Sequence, residues 1–212
     1  MKRSETSNVS LKVYGKRGSL DVVVDSTGLK VYSEGEWKVY KHGRGKRRTW
    51  RKLHIAIDAK TQQIVAAEMT SNSRDDASVV PDLLTHIDGN VVSLRGDGAY
   101  DKRGVYHTTS RLGIHPVIPP RKNARYDQNG DWGSNGIYRN GAILILKLFG
   151  SDTWKEQVNY HQRSLVETAM FRIKRLFGDR LKNRTMKNQW VETMVKINAL
   201  NMLSVFTSAY FS

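Results

Sequence analysis

The chain has 212 residues, 39% of them hydrophobic and 26% charged, a balance typical of a globular protein rather than a disordered one. It contains no cysteine, which excludes disulfides and thiolate metal sites, and its longest apolar run, "AILIL" at 142–146, is too short to span a membrane. Lys and Arg outnumber Asp and Glu by 35 to 20, so the formal charge of +15 predicts a polyanionic partner, with nucleic acid the first expectation.

The first predicted elements are an arm, a strand and a hairpin. Residues 1–19 lack hydrophobic periodicity and predict a basic N-terminal arm before the folded domain. The run "LDVVVDSTG", 20–28, predicts a buried strand that ends near Asp25. Two further strands are predicted around the turn "AKTQQ", because alternating apolar residues on either side of it indicate an antiparallel hairpin over 50–70.

A helix, a strand, a second helix and a short extended segment are predicted next. The segment "DDASVVPDLLTHI", 75–87, has helical spacing, with Pro81 in a first turn that tolerates it. A short strand within "NVVSLRGDGAYD" places Asp97 in the loop that follows. "KRGVYHTTSRLG" predicts a helix up to Gly113, and "IHPVIPP" an extended piece. Residues 119–155 are rich in glycine and charge and predict an irregular insertion.

An amphipathic helix is predicted at "YHQRSLVETAMFRIK", 160–174. At about 100° per residue, one face gathers apolar side chains for the core: Val166, Met170, Ile173 and Phe177. A polar stripe runs along the margin of that face and consists of Tyr160, Arg163, Glu167 and Lys174. Such a stripe also occurs in ordinary surface ion-pair ladders, so the helix alone does not decide its role. A last apolar helix near 190–206 is expected to pack into the core or against a partner.

Three acids stand at positions where they could converge. Asp25 and Asp97 follow strands, and ligands of α/β sheets bind at strand ends. A helix packed across the sheet could bring Glu167 to the same place. Three adjacent carboxylates repel each other unless a cation binds, and Mg²⁺ or Mn²⁺ prefers such oxygen ligands. The alternative is that each aspartate is only a turn former or helix cap.

Two basic segments predict contacts with a phosphate backbone. They are "YKHGRGKRRTWRK", 40–52, and "PPRKNAR", 119–125, and their proposed DNA-contacting residues are Arg44, Lys46, Arg47, Arg48, Arg51, Arg121 and Lys122. A short basic run can also be only a solvated hairpin.

Several of these stretches together resemble the catalytic core of DDE transposases of bacterial insertion sequences, specifically insertion-sequence family five. They include "VDSTGLKV", "RRTWRKLHIAID", "DGAYD", "IPPRKNA" and the helix at 160–174, and the resemblance runs from about residue 20 to the end. Its most specific element is the signature Y-x2-R-x3-E-x6-K, met by Tyr160, Arg163, Glu167 and Lys174.

The resemblance implies an α/β, RNase H-like (retroviral-integrase-like) catalytic domain over 20–212, with a mixed five-stranded sheet and helices on both faces. It implies that Asp25, Asp97 and Glu167 are the catalytic residues and hold two Mg²⁺ ions, for which Mn²⁺ can substitute. It also implies hydrolysis at transposon ends followed by transfer of the 3′ hydroxyl into target DNA, with Tyr160, Arg163 and Lys174 contacting the DNA.

The expected partners and alternatives follow from the same resemblance. Synapsis of two DNA ends calls for a homodimer or larger assembly, in a cytoplasmic, nucleoid-associated protein without a membrane partner. Only a short segment precedes Asp25, so the N-terminal DNA-recognition domain of full-length relatives is expected to be missing. Two alternatives stay open: an RNase H-like nuclease that cuts without joining, and an inactive truncated DNA-binding remnant or inhibitor of the full-length transposase.

Overall fold

A computed structural model describes residues 9–15, 18–31 and 50–210, with side chains up to residue 206. Arg44, Lys46, Arg47 and Arg48 lie outside the described residues. The strands are β1 Ser19–Val31, β2 Trp50–Asp58, β3 Ile64–Ser71, β4 Asn90–Arg95, β5 His115–Val117 and β6 Arg180–Leu181. The α-helices are α1 Val80–Thr85, α2 Arg103–Leu112, α3 Gly136–Gln157, α4 Ser164–Phe177 and α5 Met186–Tyr210. Short 3₁₀ turns cover Ala77–Val79, Gly98–Tyr100 and Tyr160–Arg163.

The strands form one mixed sheet in the order β3-β2-β1-β4-β5. β1, β2 and β3 are antiparallel neighbours, whereas β4 runs parallel to both β1 and β5. The two-residue strand β6 pairs with the far end of β1, so it adds a sixth strand to the five predicted. With helices on both faces, this sheet confirms the RNase H-like fold class.

Alternation along β1 explains why both faces of the sheet are covered. Val22 and Val24 point to one face, where they pack with Val80 of α1 and Val105 of α2. Val23 points to the opposite face. There it belongs to the apolar cluster formed by Leu53, Ile55, Ile57, Val166, Ile173, Ile197 and Leu200, which come from β2, α4 and α5. Asp25 shares the face of Val23, because side chains two residues apart point the same way.

Two boundaries differ from the sequence prediction. β1 does not end near Asp25 but continues to Val31, because β2 pairs with it as far as Lys30 opposite Trp50. The expected irregular insertion at 119–155 is irregular only in its first half, and 136–157 forms α3. Gly150, with a φ of 84°, kinks α3. The glycines of this helix interrupt the sequence pattern, so the helical spacing of its buried residues Ala142, Ile143 and Trp154 is hard to recognise.

The described part of the N-terminal arm is docked on the domain. Asn198 of α5 accepts a hydrogen bond from the backbone N–H of Lys12 at 2.8 Å and donates to the carbonyl of Ser10 at 2.9 Å. Asn201 donates to the carbonyl of Lys12 and to that of Ile64 in β3. The sequence prediction had order beginning near Leu20, but these amides fix residues 10–12 beside the sheet. Over the part of the chain seen in the structure, no helix has the length and hydrophobicity needed to cross a membrane.

Acid is expected to destabilise the domain through His54, which is fully buried in β2. Its Nε2 lies 2.9 Å from Thr70 Oγ1, and its Nδ1 lies 3.5 Å from Asp76 Oδ1. Burial lowers the pKa of His54 to about 4, although Asp76 opposes the shift. The unfolded chain therefore binds a proton between pH ~6.5 and ~4 that the folded chain does not, and stability present above pH ~6.5 falls by about 2–3 kcal/mol across this window.

Urea unfolding of the wild type and of His54→Gln at pH 7.5 and 4.5 measures this loss. The variant should lose less stability than the wild type between the two pH values, whereas His107→Gln, at an exposed histidine, should lose as much as the wild type. An equal acid-induced loss in all three proteins would assign the effect to other groups.

Candidate active site

The register between β1 and β4 brings the first two acids together. The last pair of this parallel ladder is Val23 opposite Arg95. Asp25 and Asp97 each lie two residues further along the chain, so both stand just beyond the same end of the ladder. Asp97 lies in the loop after β4, as predicted, where it caps the turn Gly98–Tyr100.

A backbone N–H holds one oxygen of each aspartate. Oδ1 of Asp25 accepts a hydrogen bond from the N–H of Ser26 at 2.7 Å, and Oδ1 of Asp97 accepts one from Ala99 at 2.8 Å. The second oxygen of each aspartate, Oδ2, faces the guanidinium of Arg163. Burial raises the pKa of Asp25, whereas the Ser26 N–H and the Arg163 guanidinium oppose this rise.

Arg163 connects all three acids. It ends the turn Tyr160–Arg163, which precedes α4, and its Nη1 lies 2.7 Å from Glu167 Oε1, one helical turn later. Its Nη2 lies 3.6 Å from Asp25 Oδ2 and 3.7 Å from Asp97 Oδ2. α4 packs its apolar face on the same side of the sheet as Val23, so it delivers both Arg163 and Glu167 to the aspartates.

The carboxylates are chemically suited to a hard divalent cation, but Arg163 stands between them. Among the residues that the structure describes, no three histidine or acidic side chains lie close enough together to bind one metal ion as they stand. Each aspartate nevertheless presents an Oδ2 that is directed at a shared point, and oxygen donors of this type are the ligands that Mg²⁺ and Mn²⁺ prefer. The donor set therefore fits such an ion once the guanidinium moves aside.

Comparison with known families decides the classification. The family described as "Transposase DDE domain" matches residues 16–202, which is most of the chain. The chain belongs to the DDE transposase domain family. Proteins of this family are DNA-processing enzymes that generally use divalent metal ions.

Two solved structures are similar to this transposase domain. A piggyBac transposase synaptic complex with hairpin DNA, solved by cryo-electron microscopy, matches with a TM-score of 0.48 at 10% identity, over 91% of this chain and 48% of that one. The simian T-cell lymphotropic virus intasome in complex with PP2A regulatory subunit B56 gamma matches with a TM-score of 0.38 at 15% identity, over 91% and 53%. The transposase domain thus spans about half the length of these solved chains.

Tyr160 and Lys174, the outer positions of the predicted signature, occupy different environments in the transposase domain. The Tyr160 hydroxyl donates to the carbonyl of Gly96 at 3.4 Å, and its ring lies 5.1 Å from the ring of Trp154. Burial raises the pKa of Tyr160 to about 12. Lys174 is half-buried two turns after Glu167 on α4, and it forms no ion pair with the described residues.

The described residues of the two predicted basic segments lie in different places. Arg121 lies near the acids, because its Nε donates to the carbonyl of Gly98 at 3.4 Å, and the adjacent Lys122 is exposed. Arg51 lies further along β2, four residues from Ile55, which pairs with Asp25. Its Nε donates to Gln189 of α5 at 2.9 Å, so Arg51 is held by a neighbouring helix.

The loop that carries Asp97 is held in place by neighbouring residues that the sequence prediction did not single out. Tyr100 is buried under the site, and a Cβ at Gly96 would lie 2.8 Å from its ring, so only glycine fits there. Asp101 forms a buried ion pair with Arg139 of α3, with Nε and Oδ1 2.7 Å apart. The close approach of Gly96 and Tyr100 has a local signal in the sequence, because glycines flank Asp97 in "GDGAYD". No local pattern indicates that Asp101 pairs with Arg139, 38 residues away.

Proposed function

We propose that this chain is the catalytic core of a transposase that hydrolyses phosphodiesters at the ends of a DNA element and transfers the freed 3′ hydroxyl into target DNA. The observation that carries the proposal is the convergence of Asp25, Asp97 and Glu167 on one guanidinium at the end of the parallel ladder. We further place the domain in insertion-sequence family five, because the spacing of Tyr160, Arg163, Glu167 and Lys174 fits its signature.

Asp25, Asp97 and Glu167 would hold two Mg²⁺ ions, with Mn²⁺ as a substitute. When bound, the ions supply Lewis acidity that activates the attacking water or hydroxyl and neutralises charge on the leaving oxygen. The chain's own part is to hold the acids rigidly. The N–H groups of Ser26 and Ala99 fix the two aspartates, and the packing of α4 fixes Glu167 relative to them.

Basic and aromatic side chains around the acids would position the DNA. Arg163, Lys174, Arg121 and Lys122 carry charge that neutralises phosphates, and Tyr160 offers a hydroxyl beside the end of β4. Arg44, Lys46, Arg47 and Arg48, which lie outside the described residues, would add further phosphate contacts, and the net charge of +15 predicts binding that weakens with salt. Two DNA ends require two active sites, so we propose a dimer or larger assembly on the nucleoid.

The testing experiment asks whether the chain joins DNA strands. The purified protein is incubated with supercoiled plasmid and a duplex oligonucleotide that has a free 3′ hydroxyl, in Mn²⁺, in Mg²⁺ or in EDTA. Metal-dependent joined products are expected for the wild type, and Glu167→Gln should form them at least about 100-fold more slowly. The matched control Glu156→Gln alters an exposed glutamate on α3 and should retain the wild-type rate.

The remaining outcomes separate the alternatives. Metal-dependent nicking without joining would favour the nuclease. Binding of DNA without any reaction, equal in wild type and Glu167→Gln, would favour the inactive DNA-binding remnant.

A further inference from the structure

The contacts of Arg163 are unequal. Its 2.7 Å contact with Glu167 has hydrogen-bond length, but the contacts with Asp25 and Asp97, at 3.6 and 3.7 Å, are longer. A single nitrogen, Nη2, makes both long contacts, so one positive group stands before two Oδ2 atoms at once. The guanidinium thus lies at the point where the free oxygens of the acids converge.

The hydrogen-bond donors of Arg163 are only partly paired among the described residues. The Nε of Arg163 is buried without a hydrogen-bond partner among the described residues, although a guanidinium has five N–H donors to satisfy. An arginine also cannot lose its proton in a protein, so it remains a cation beside the acids at every pH at which they are ionised. A divalent ion carries twice its charge in a smaller volume and binds carboxylate oxygens directly.

We propose that Arg163 competes with the divalent metal for the three carboxylates. This inference rests on the proposed function, because it concerns the metal site proposed there. In the metal-free protein the guanidinium neutralises part of the acids' charge and fills the space between them. A metal ion must displace it, so Arg163 lowers metal affinity by the free energy of the contacts that are broken. The displaced guanidinium then becomes available to a DNA phosphate.

Whether removal of Arg163 raises or lowers metal affinity depends on which groups hold the carboxylates in position. The Oδ1 atoms of Asp25 and Asp97 are held by the N–H groups of Ser26 and Ala99, not by Arg163. Removing the guanidinium should therefore leave both carboxylates in position while it removes the competing charge. If Arg163 instead organised the site, its removal would scatter the acids and weaken metal binding.

Mn²⁺ titration of the DNA-free protein at constant ionic strength, followed by electron paramagnetic resonance of free Mn²⁺, tests the proposal. Arg163→Gln should bind Mn²⁺ about tenfold more tightly than the wild type. Arg175→Gln removes one positive charge from the exposed last turn of the same helix without touching the acids, and its Kd should change by less than about twofold. Circular dichroism verifies that each variant is folded.

Binding by Arg163→Gln that is equal to or weaker than wild-type binding overturns the proposal. If Arg163→Gln fails to fold, Arg163→Lys decides instead, because a lysine has one compact charge that cannot face three carboxylates at once. It should bind Mn²⁺ more tightly than the wild type, and an unchanged Kd overturns the proposal. Failure of every protein, wild type included, to bind Mn²⁺ would contradict the proposed function itself, whereas equal binding by all contradicts only the role of Arg163.

Discussion

Replacement of Asp25 by asparagine is expected to slow the proposed DNA cleavage and strand joining by about 1,000-fold or more, because it removes a charged group that is proposed to hold the metal ions and to contribute several kcal/mol to the transition state. The amide oxygen can still accept the hydrogen bond from Ser26, so β1 and its ladders should remain intact. Burial raises the pKa of Asp25, which means that the folded protein disfavours its charged form. Asparagine should therefore leave the metal-free domain at least as stable as the wild type at pH 7.

Initial rates of plasmid nicking and oligonucleotide joining in Mn²⁺, together with thermal melting in EDTA, measure the two effects. The matched control is Asp179→Asn, which removes an acid that pairs with Lys30 near the far end of β1. It should change neither rate by more than a few-fold. A variant Asp25→Asn that still joins DNA at a rate near wild type would exclude Asp25 from the active site.

The central elements could be predicted from the sequence because their apolar residues repeat with a clear period. Leu53, Ile55 and Ile57 alternate in β2, and all three are fully buried. Val166 and Ile173 lie on the predicted core face of the helix, and both pack in the cluster below the sheet. Such periods are local properties of the chain, so they are readable without knowledge of the tertiary contacts.

The convergence of the acids could not be predicted from periodicity. Asp25 and Asp97 become neighbours only through the parallel register of β1 and β4, which pairs segments about 70 residues apart. The resemblance to a known family suggested the same grouping. The predicted helix also begins later than expected: Asn159, with a φ of 51°, is followed by a 3₁₀ turn that contains Tyr160 and Arg163. Arg163 therefore reaches the acids from a turn and not from the predicted stripe on a continuous helix.

The loop before α3 is held by the ion pair between Asp101 and Arg139, which no local sequence pattern predicts. Asp101 accepts hydrogen bonds from the Arg121 N–H and from Arg139, and Arg139 donates to the carbonyl of Arg125 at 2.8 Å. Its guanidinium also lies 3.8 Å from the ring of Trp132. The buried pair thereby fixes the segment that carries Arg121 and Lys122 near the acids, although that segment looks irregular in the sequence.

Arg139→Ala is expected to lower the free energy of unfolding by about 3–5 kcal/mol, because it leaves the buried Asp101 carboxylate without its charged partner. The side chains of Arg139 and Asp101 are only 5% and 1% exposed. Arg103→Ala is a matched control, since Arg103 also lies over Trp132 but pairs with Asp131 at the surface, with exposures of 61% and 46%. Its loss should cost less than about 1 kcal/mol in urea unfolding.

A double variant separates the ion pair from simple loss of packing. Arg139→Met with Asp101→Asn removes both charges while it keeps most of the buried volume, so it should be clearly more stable than Arg139→Ala and show a favourable coupling in a double-mutant cycle. Additive losses would mean that the two side chains stabilise the loop independently. The double variant should also bind DNA more weakly than the wild type, because methionine at 139 cannot donate to the carbonyl of Arg125 and the segment that carries Arg121 and Lys122 is then held less firmly. The pair would then support the DNA-binding surface as well as the fold.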